Sequence, residues 1–266
     1  MTRLSLVLPL VLAVSALGSP VAAQAIGANA VVINDVRIST QAEPAVHRAR
    51  VRERVSIGNP IHTGAASQLQ LLLLDGTSFQ IGSNARLVVD RFVYDANRSA
   101  SAVGAEVAQG SFRFISGRPT HARPGETQIR TPAASIGVRG TIIEGAVGQD
   151  AIDIARFELG VPSVAGADPA GATLAVLRGP AAGVNGERGG AFDITAGGAT
   201  VPVEIIGYAV FVPAEGQRPI GPFLISDNGL AELATLLGDP RRGIVTPDST
   251  LLAIDPMDFE EVEEDN

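Results

Sequence analysis

The chain has 266 residues, 45% of them hydrophobic, with a net charge of −8, 30 Gly, 17 Pro and no Cys. These figures exclude a disulfide framework, a thiolate metal site and a cysteine-linked lipid anchor, and they suit one large β domain or two small ones. The acidic balance and an aromatic content of 4% argue against nucleic-acid binding.

The N-terminus comes first. Arg3 is the only charge before residue 31, Leu4 to Leu17 is an apolar run, and small residues follow at Val21, Ala23 and Ala25. This is the three-part pattern of a secretory signal peptide, assigned to residues 1–25. The run is broken by Pro9 and is shorter than the roughly 20 residues of a bilayer span. No later stretch reads as a span, so the mature protein is expected in the periplasm or outside the cell. Cleavage is expected after Ala23 or Ala25. Intact mass of the native protein from an envelope fraction checks this, and a mass that retains Met1 overturns it.

Arg48, Arg50, Arg52 and Arg54 then recur at every second residue. On a β-strand that spacing puts four guanidinium groups on one face. Such a ladder can grip carboxylates or phosphates in bidentate fashion, but the reading placed first is a solvated face that keeps an exposed strand from aggregating. From 26 to 145 the chain carries 13 Arg against 9 acids, and from 146 to 266 it carries 6 Arg against 19 acids.

Next, Ser67 to Leu74 and Thr77 to Ile81 are alternating runs joined by Asp75-Gly76, a hairpin signal of the type I′ kind. Leu87, Val89 and Val93 mark another strand, and Phe112 with Phe114 a further one. Leu69, Leu71, Leu73, Phe79, Ile81, Val89, Phe112, Phe114 and Ile136 are the expected core. The segment Arg130-Thr-Pro-Ala-Ala-Ser-Ile-Gly-Val-Arg-Gly-Thr141 follows. Thr131-Pro132 reads as a strand-to-turn junction, because the residue before proline is pushed to extended dihedrals.

That segment resembles the signature of the FecR-like periplasmic domain: a threonine, a proline-containing turn, then an aliphatic-Gly-x-Arg-Gly-Thr run. Four earlier blocks resemble the family in order and spacing: Val55 to Gly64, Ser67 to Thr77, Asp90 to Asp95 and Gln109 to Phe114. The resemblance covers roughly residues 29–146. It implies an all-β fold, a stacked two-sheet sandwich or short β-solenoid, and an envelope location. It makes Thr131, Pro132, Gly137, Arg139, Gly140 and Thr141 family signature positions, read as structural: the glycines bend the strand and Arg139 satisfies nearby carbonyls or carboxylates. Members of the family span the inner membrane and control a sigma factor from a cytoplasmic segment, a part not found in this sequence.

Beyond residue 146 the β texture continues. Leu174 to Leu177, Phe192 to Thr195, Val201 to Ile206 and Tyr208 to Val212 are short apolar runs separated by glycine-rich turns. Residues 147–226 are therefore a second, hairpin-rich β region, its own lobe or an extension of the first. A short helix is expected at 227–238, with Asp227 or Asn228 as cap, Leu230, Leu233, Ala234 and Leu237 on one face, and Gly238 as stop. Residues 239–266 end in seven acids among the last 12 positions and read as a flexible acidic tail.

Catalysis finds little support. His47, His62 and His121 read as scattered, with no i, i+4 partner and no neighbouring carboxylate. No Gly-x-Ser-x-Gly elbow occurs, and the glycine-rich loop Gly183 to Gly190 lacks the lysine of a phosphate-binding loop. Asp90 and Asp95 are the acids one would nominate for a glycosidase. No catalytic, cofactor or metal site is expected. The reading is a non-enzymatic envelope module that binds an envelope protein or anionic polymer, with Arg48, Arg50, Arg52 and Arg54 as a candidate contact. The alternatives are a periplasmic sensing or signalling component without the sigma-regulating part, and an envelope glycan hydrolase.

Overall fold

The computed structural model describes residues 24–40, 42–95, 100–117, 127–180 and 190–238. The signal-peptide segment, His121, most of the 183–190 loop and the acidic tail lie outside them. In chain order the first elements are β1 (Ala25–Ile33), β2 (Val36–Ile38), β3 (His47–Arg48), β4 (Arg54–Ser56), β5 (Pro60–Thr63), β6 (Gln68–Leu73), β7 (Ser78–Ile81), β8 (Arg86–Asp95) and β9 (Ala100–Ile115). They continue with β10 (Thr127–Arg130), β11 (Ser135–Arg139), β12 (Thr141–Val147), α1 (Gln149–Ala155), β13 (Thr173–Pro180), β14 (Ala191–Ala196), β15 (Ala199–Val203), β16 (Tyr208–Val212), β17 (Ile220–Leu224) and α2 (Asp227–Leu237). The fold is all-β with a short C-terminal helix. No helix among the described residues is long and apolar enough to cross a membrane.

The strands form two layers that share β9. The first sheet runs β4-β1-β6-β7-β9-β12-β13-β16-β17. The second runs β3-β2-β5-β8-β9-β10-β11-β14-β15, and its β9–β10 pair is parallel while every other pair is antiparallel. Strand β9 gives its first ten residues to the second sheet and its last six to the first. The bend is at Gly110, with φ of 83°. A Cβ there would lie 2.5 Å from the Ala85 Cα, so only glycine allows β8 and β9 to close at the corner.

One core fills the space between the layers. Across the first sheet, Leu71, Phe79, Phe114, Ile143 and Leu177 stand directly opposite one another on successive strands. All five are buried, and the Phe79 and Phe114 rings meet edge to face at 5.0 Å. Val36, Ile38, Ile61, Leu87, Val89, Ile129, Ile136, Phe192 and Ile194 face them from the second sheet. All nine positions expected in the core are there. The cluster also takes Phe192, Ile194, Val203, Val210 and Val212, so the strands beyond residue 146 extend the sheets already begun.

Strands β13 and β16 explain why their sequences read as unbroken apolar runs. Ala175, Leu177, Val210 and Val212 face the inter-sheet core, while Leu174, Val176, Ala209 and Phe211 face a second cluster with Ile152, Ile154, Val161, Phe223 and Leu233. The helices thus cover the outside of the first sheet, and strands buried on both faces lose the polar alternation.

Three local expectations are corrected. The Asp75-Gly76 hairpin is not type I′. Gly76 has positive φ and Asp75 does not, the Gly76 amide donates to the Leu73 carbonyl at 3.0 Å, and the Leu73 amide donates to Thr77. This is a three-residue loop, a type I turn closed by a glycine bulge. The α2 cap is Ser226, whose Oγ accepts from the Gly229 amide at 3.1 Å and donates to buried Glu158 at 2.8 Å. Helix α1 was not foreseen, since two turns with Ala151, Ile152, Ile154 and Ala155 all buried leave little amphipathic signal.

Candidate functional site

The four-arginine ladder does not stand on one face. Strand β3 ends at Arg48, and Arg50 to Glu53 is a turn closed by the Glu53 amide on the Arg50 carbonyl at 3.2 Å, with φ of 66° at Arg52. The chain there crosses from the second sheet to the first. Arg48 lies on β3 of the second sheet, Arg54 on the edge strand β4 of the first. Arg50 turns to Glu43 at 3.3 Å. All four are exposed, but they point from three separate pieces of backbone.

Register builds a different basic row. On the outer face of the second sheet, Arg48 pairs with Arg37, Arg37 with His62, His62 with Arg86 and Arg86 with Gln109. Directly opposed residues share a face. The inward neighbours Val36, Ile38, Ile61 and Leu87 are buried, and all five row residues are exposed. Five strands at the usual spacing of about 4.8 Å give the row a length of about 19 Å. His62, Arg86 and Gln109 with Thr63, Asn84 and Ala85 line an open pocket of about 250 Å³ at one end.

The charge on this row is in excess. Asp35 is the acid beside it, 3.2 Å from Arg37 and 4.0 Å from Arg48. Arg86 and His62 have no ion-pair partner among the described residues. Farther along the same sheet two arginines are paired: Arg130 with Asp90, and Arg139 with Asp193 at 3.1 Å and Glu204 at 3.7 Å. Asp90, one of the two acids nominated for glycan hydrolysis, is therefore held in an ion pair.

Beside the row is a second polar cluster. His47 Nδ1 lies 3.0 Å from the Ala45 carbonyl, and Nε2 lies 2.6 Å from Glu53 Oε1 and 3.0 Å from Glu43 Oε2. The other Glu53 oxygen accepts from the Arg50 amide at 2.8 Å. The hydrogen bond to Ala45, then that to Glu53, raise the imidazole pKa above its ordinary value; the charges of Glu53 and Glu43 act in the same direction, against desolvation. Reading His47 as lacking a neighbouring carboxylate was wrong. Glu43 is four residues before it and Glu53 six after, and the three offer ligand atoms within 4.8 Å of one another.

The signature residues hold the layers together. Thr131 to Ala134 is a tight turn: the Thr131 Oγ1 accepts from the Ala134 amide at 3.0 Å and contacts Thr173 Oγ1 at 2.8 Å, with Pro132 between. Gly140, with φ of 54°, stands where the chain leaves β11 for β12 and changes sheet. Thr141 is buried and donates to the Gly179 carbonyl. Gly137 does not bend its strand. It pairs regularly with Gln128 and Asp193, and a Cβ there would touch nothing closer than 3.9 Å.

The family described as FecR protein matches residues 59–158. The match starts later and ends later than the stretch expected from sequence, and takes in β5 to α1. Two solved structures of a candidate anti-sigma factor from Parabacteroides distasonis ATCC 8503 are similar, at 14% and 13% identity and TM-scores of 0.38 and 0.39. In each comparison 60% of this chain and 57% of the other are covered, so the chain spans little more than half the length of those proteins. No curated protein matches.

Proposed function

We propose that this chain, which carries a FecR domain at residues 59–158, is an exported, non-enzymatic module of the cell envelope. It binds an extended anionic polymer across the outer face of its second sheet. One observation carries the reading: the cross-strand row Arg48, Arg37, His62, Arg86, Gln109. A linear polyanion presents charges at intervals along a line, and the row presents cations along a line. Guanidinium groups suit carboxylate or sulfate oxygens because their donors form a planar fork. Edge strands such as β3 often carry cations against aggregation, but Arg37, His62 and Arg86 sit on interior strands, where that purpose does not apply. The FecR match favours a second reading, sensing on the outer side of the membrane, in which the same face is the receiver.

Heparin tests the primary reading. The mature chain is expected to bind it with an affinity that falls as salt rises. Arg37→Glu with Arg86→Glu is expected to weaken binding about tenfold or more, a difference of about 1.4 kcal/mol. Arg156→Glu with Arg218→Glu, two exposed charges away from the row, changes the net charge by the same amount without touching the face. Equal losses in the row variant and this control would show attraction by overall charge alone, and overturn the site.

A further inference from the structure

The geometry points to a divalent transition-metal site formed by Glu43, His47 and Glu53. The acceptors around the two ring nitrogens of His47 point to it. The Ala45 carbonyl 3.0 Å from Nδ1 can only accept, so Nδ1 carries a hydrogen. Nε2 then faces two carboxylate oxygens at 2.6 and 3.0 Å. A lone pair pointed at two anions is repulsive. Something positive has to stand at Nε2, a proton or a metal ion.

A single proton serves one oxygen well and the other poorly, whereas a cation serves all three atoms. The cluster has the parts of a metal site. Its histidine is oriented through the other ring nitrogen by a carbonyl, the usual support of a ligating imidazole. The half-buried Glu53 is fixed in turn by the Arg50 amide at 2.8 Å, which directs Oε1 to His47. Glu43 is the exposed arm: it is 46% exposed and its contacts to Arg50 are long, 3.3 to 3.4 Å. Metal entry moves Glu43 off Arg50 and opens the Nε2–Oε1 distance to about 3.4 Å, as set by metal–ligand bonds of about 2.1 Å in a tetrahedron. That is a shift under 1 Å, within the reach of side-chain rotation. One imidazole and two carboxylates suit Zn²⁺ and its first-row neighbours better than Ca²⁺, which prefers oxygen alone. Three protein ligands leave one tetrahedral position for water or a partner group.

The site closes the turn between β3 and β4, and so fixes the strand that carries Arg48. None of its three ligands belongs to the basic row, so zinc binding and heparin binding are separate outcomes.

Isothermal titration of the chelator-treated full chain with ZnCl₂ tests the inference. The expected result is one saturable site per chain, an affinity lowered at least tenfold by His47→Ala and by Glu43→Gln, and a Zn²⁺-dependent rise in melting temperature that both variants lose. Glu43→Gln is at an exposed position, so it reports even if His47→Ala fails to fold. No saturable binding, binding unchanged in Glu43→Gln, or Ca²⁺ bound as tightly as Zn²⁺ overturns the site. Binding that persists unaltered places the cation on other carboxylates of the chain.

Discussion

Replacing Leu71 by Asp is expected to abolish the cooperative thermal transition. Leu71 is fully buried at the centre of β6, opposite Asn29 on one side and Phe79 on the other. Removing the side chain forfeits about 1.5 to 3 kcal/mol of burial. The carboxylate adds several kcal/mol, because no cation among the described residues stands in that row and its one side-chain donor, the Asn29 amide, is turned to the Arg50 carbonyl at 3.3 Å. A domain of this size has a total stability of about 5 to 15 kcal/mol. The matched control is Leu74→Asp, on the same hairpin three residues on, where the side chain is 42% exposed. There the change is expected to stay within about 0.5 kcal/mol. Circular dichroism melts of the two variants decide it. A Leu71→Asp protein that melts like the wild type refutes the core.

The sheet core was legible because it follows a period of two. Leu69, Leu71 and Leu73, then Phe79 and Ile81, all lie in the core between the layers and alternate with Gln70, Ser78 and Gln80, which are polar and buried on the other face. What stayed hidden was the second covering layer. Leu174 to Leu177 and Tyr208 to Val212 show no alternation, since helices close the outer side of the same sheet. An unbroken apolar run does not say what lies on either side of it. Helix α1 was missed for a related reason, having four of its seven residues buried.

The site was legible only in kind. Exposed arginines were found, but the strand that was to align them stops at Arg48. Nothing in Arg50-Val-Arg-Glu53 announces a turn, because the residue with positive φ is Arg52, where turn chemistry leads one to look for Gly or Asn. The row that forms instead joins residues from β2, β3, β5, β8 and β9, and such register is set by pairing across the sheet. Local spacing cannot display it. The same holds for Glu43 and His47: four residues apart suggests contact on a helix, and this segment is loop and edge strand.

The polar row on the outside of the first sheet supplies the second large effect. Gln70, Gln80, Arg113 and Glu144 stand opposite one another on β6, β7, β9 and β12. Glu144 is almost wholly buried and joins two cations: Arg113 donates to it at 2.7 Å and Arg178 lies 3.1 Å away. Arg113 also donates to Gln80 at 3.0 Å, and Gln80 donates to the Leu237 carbonyl at the end of α2. The row therefore fixes where the helix ends on the sheet. Glu144→Gln removes the charge with little change of shape and leaves Arg113, 11% exposed, without its counter-ion. The expected loss is about 3 kcal/mol, the low end of what breaking a buried pair costs, or about 6 to 12 °C in Tm. The double variant Arg113→Met with Glu144→Leu removes both charges together and is expected within about 1 kcal/mol of the wild type, since apolar residues of similar volume commonly replace a buried pair at no loss. Its signature should lie elsewhere: with the Gln80 contact to Arg113 gone, hydrogen exchange in the last turn of α2 speeds up while the sheet amides stay protected. If Glu144→Gln melts with the wild type, or the double variant is as unstable as the single one, the row is not what holds the two arginines in place.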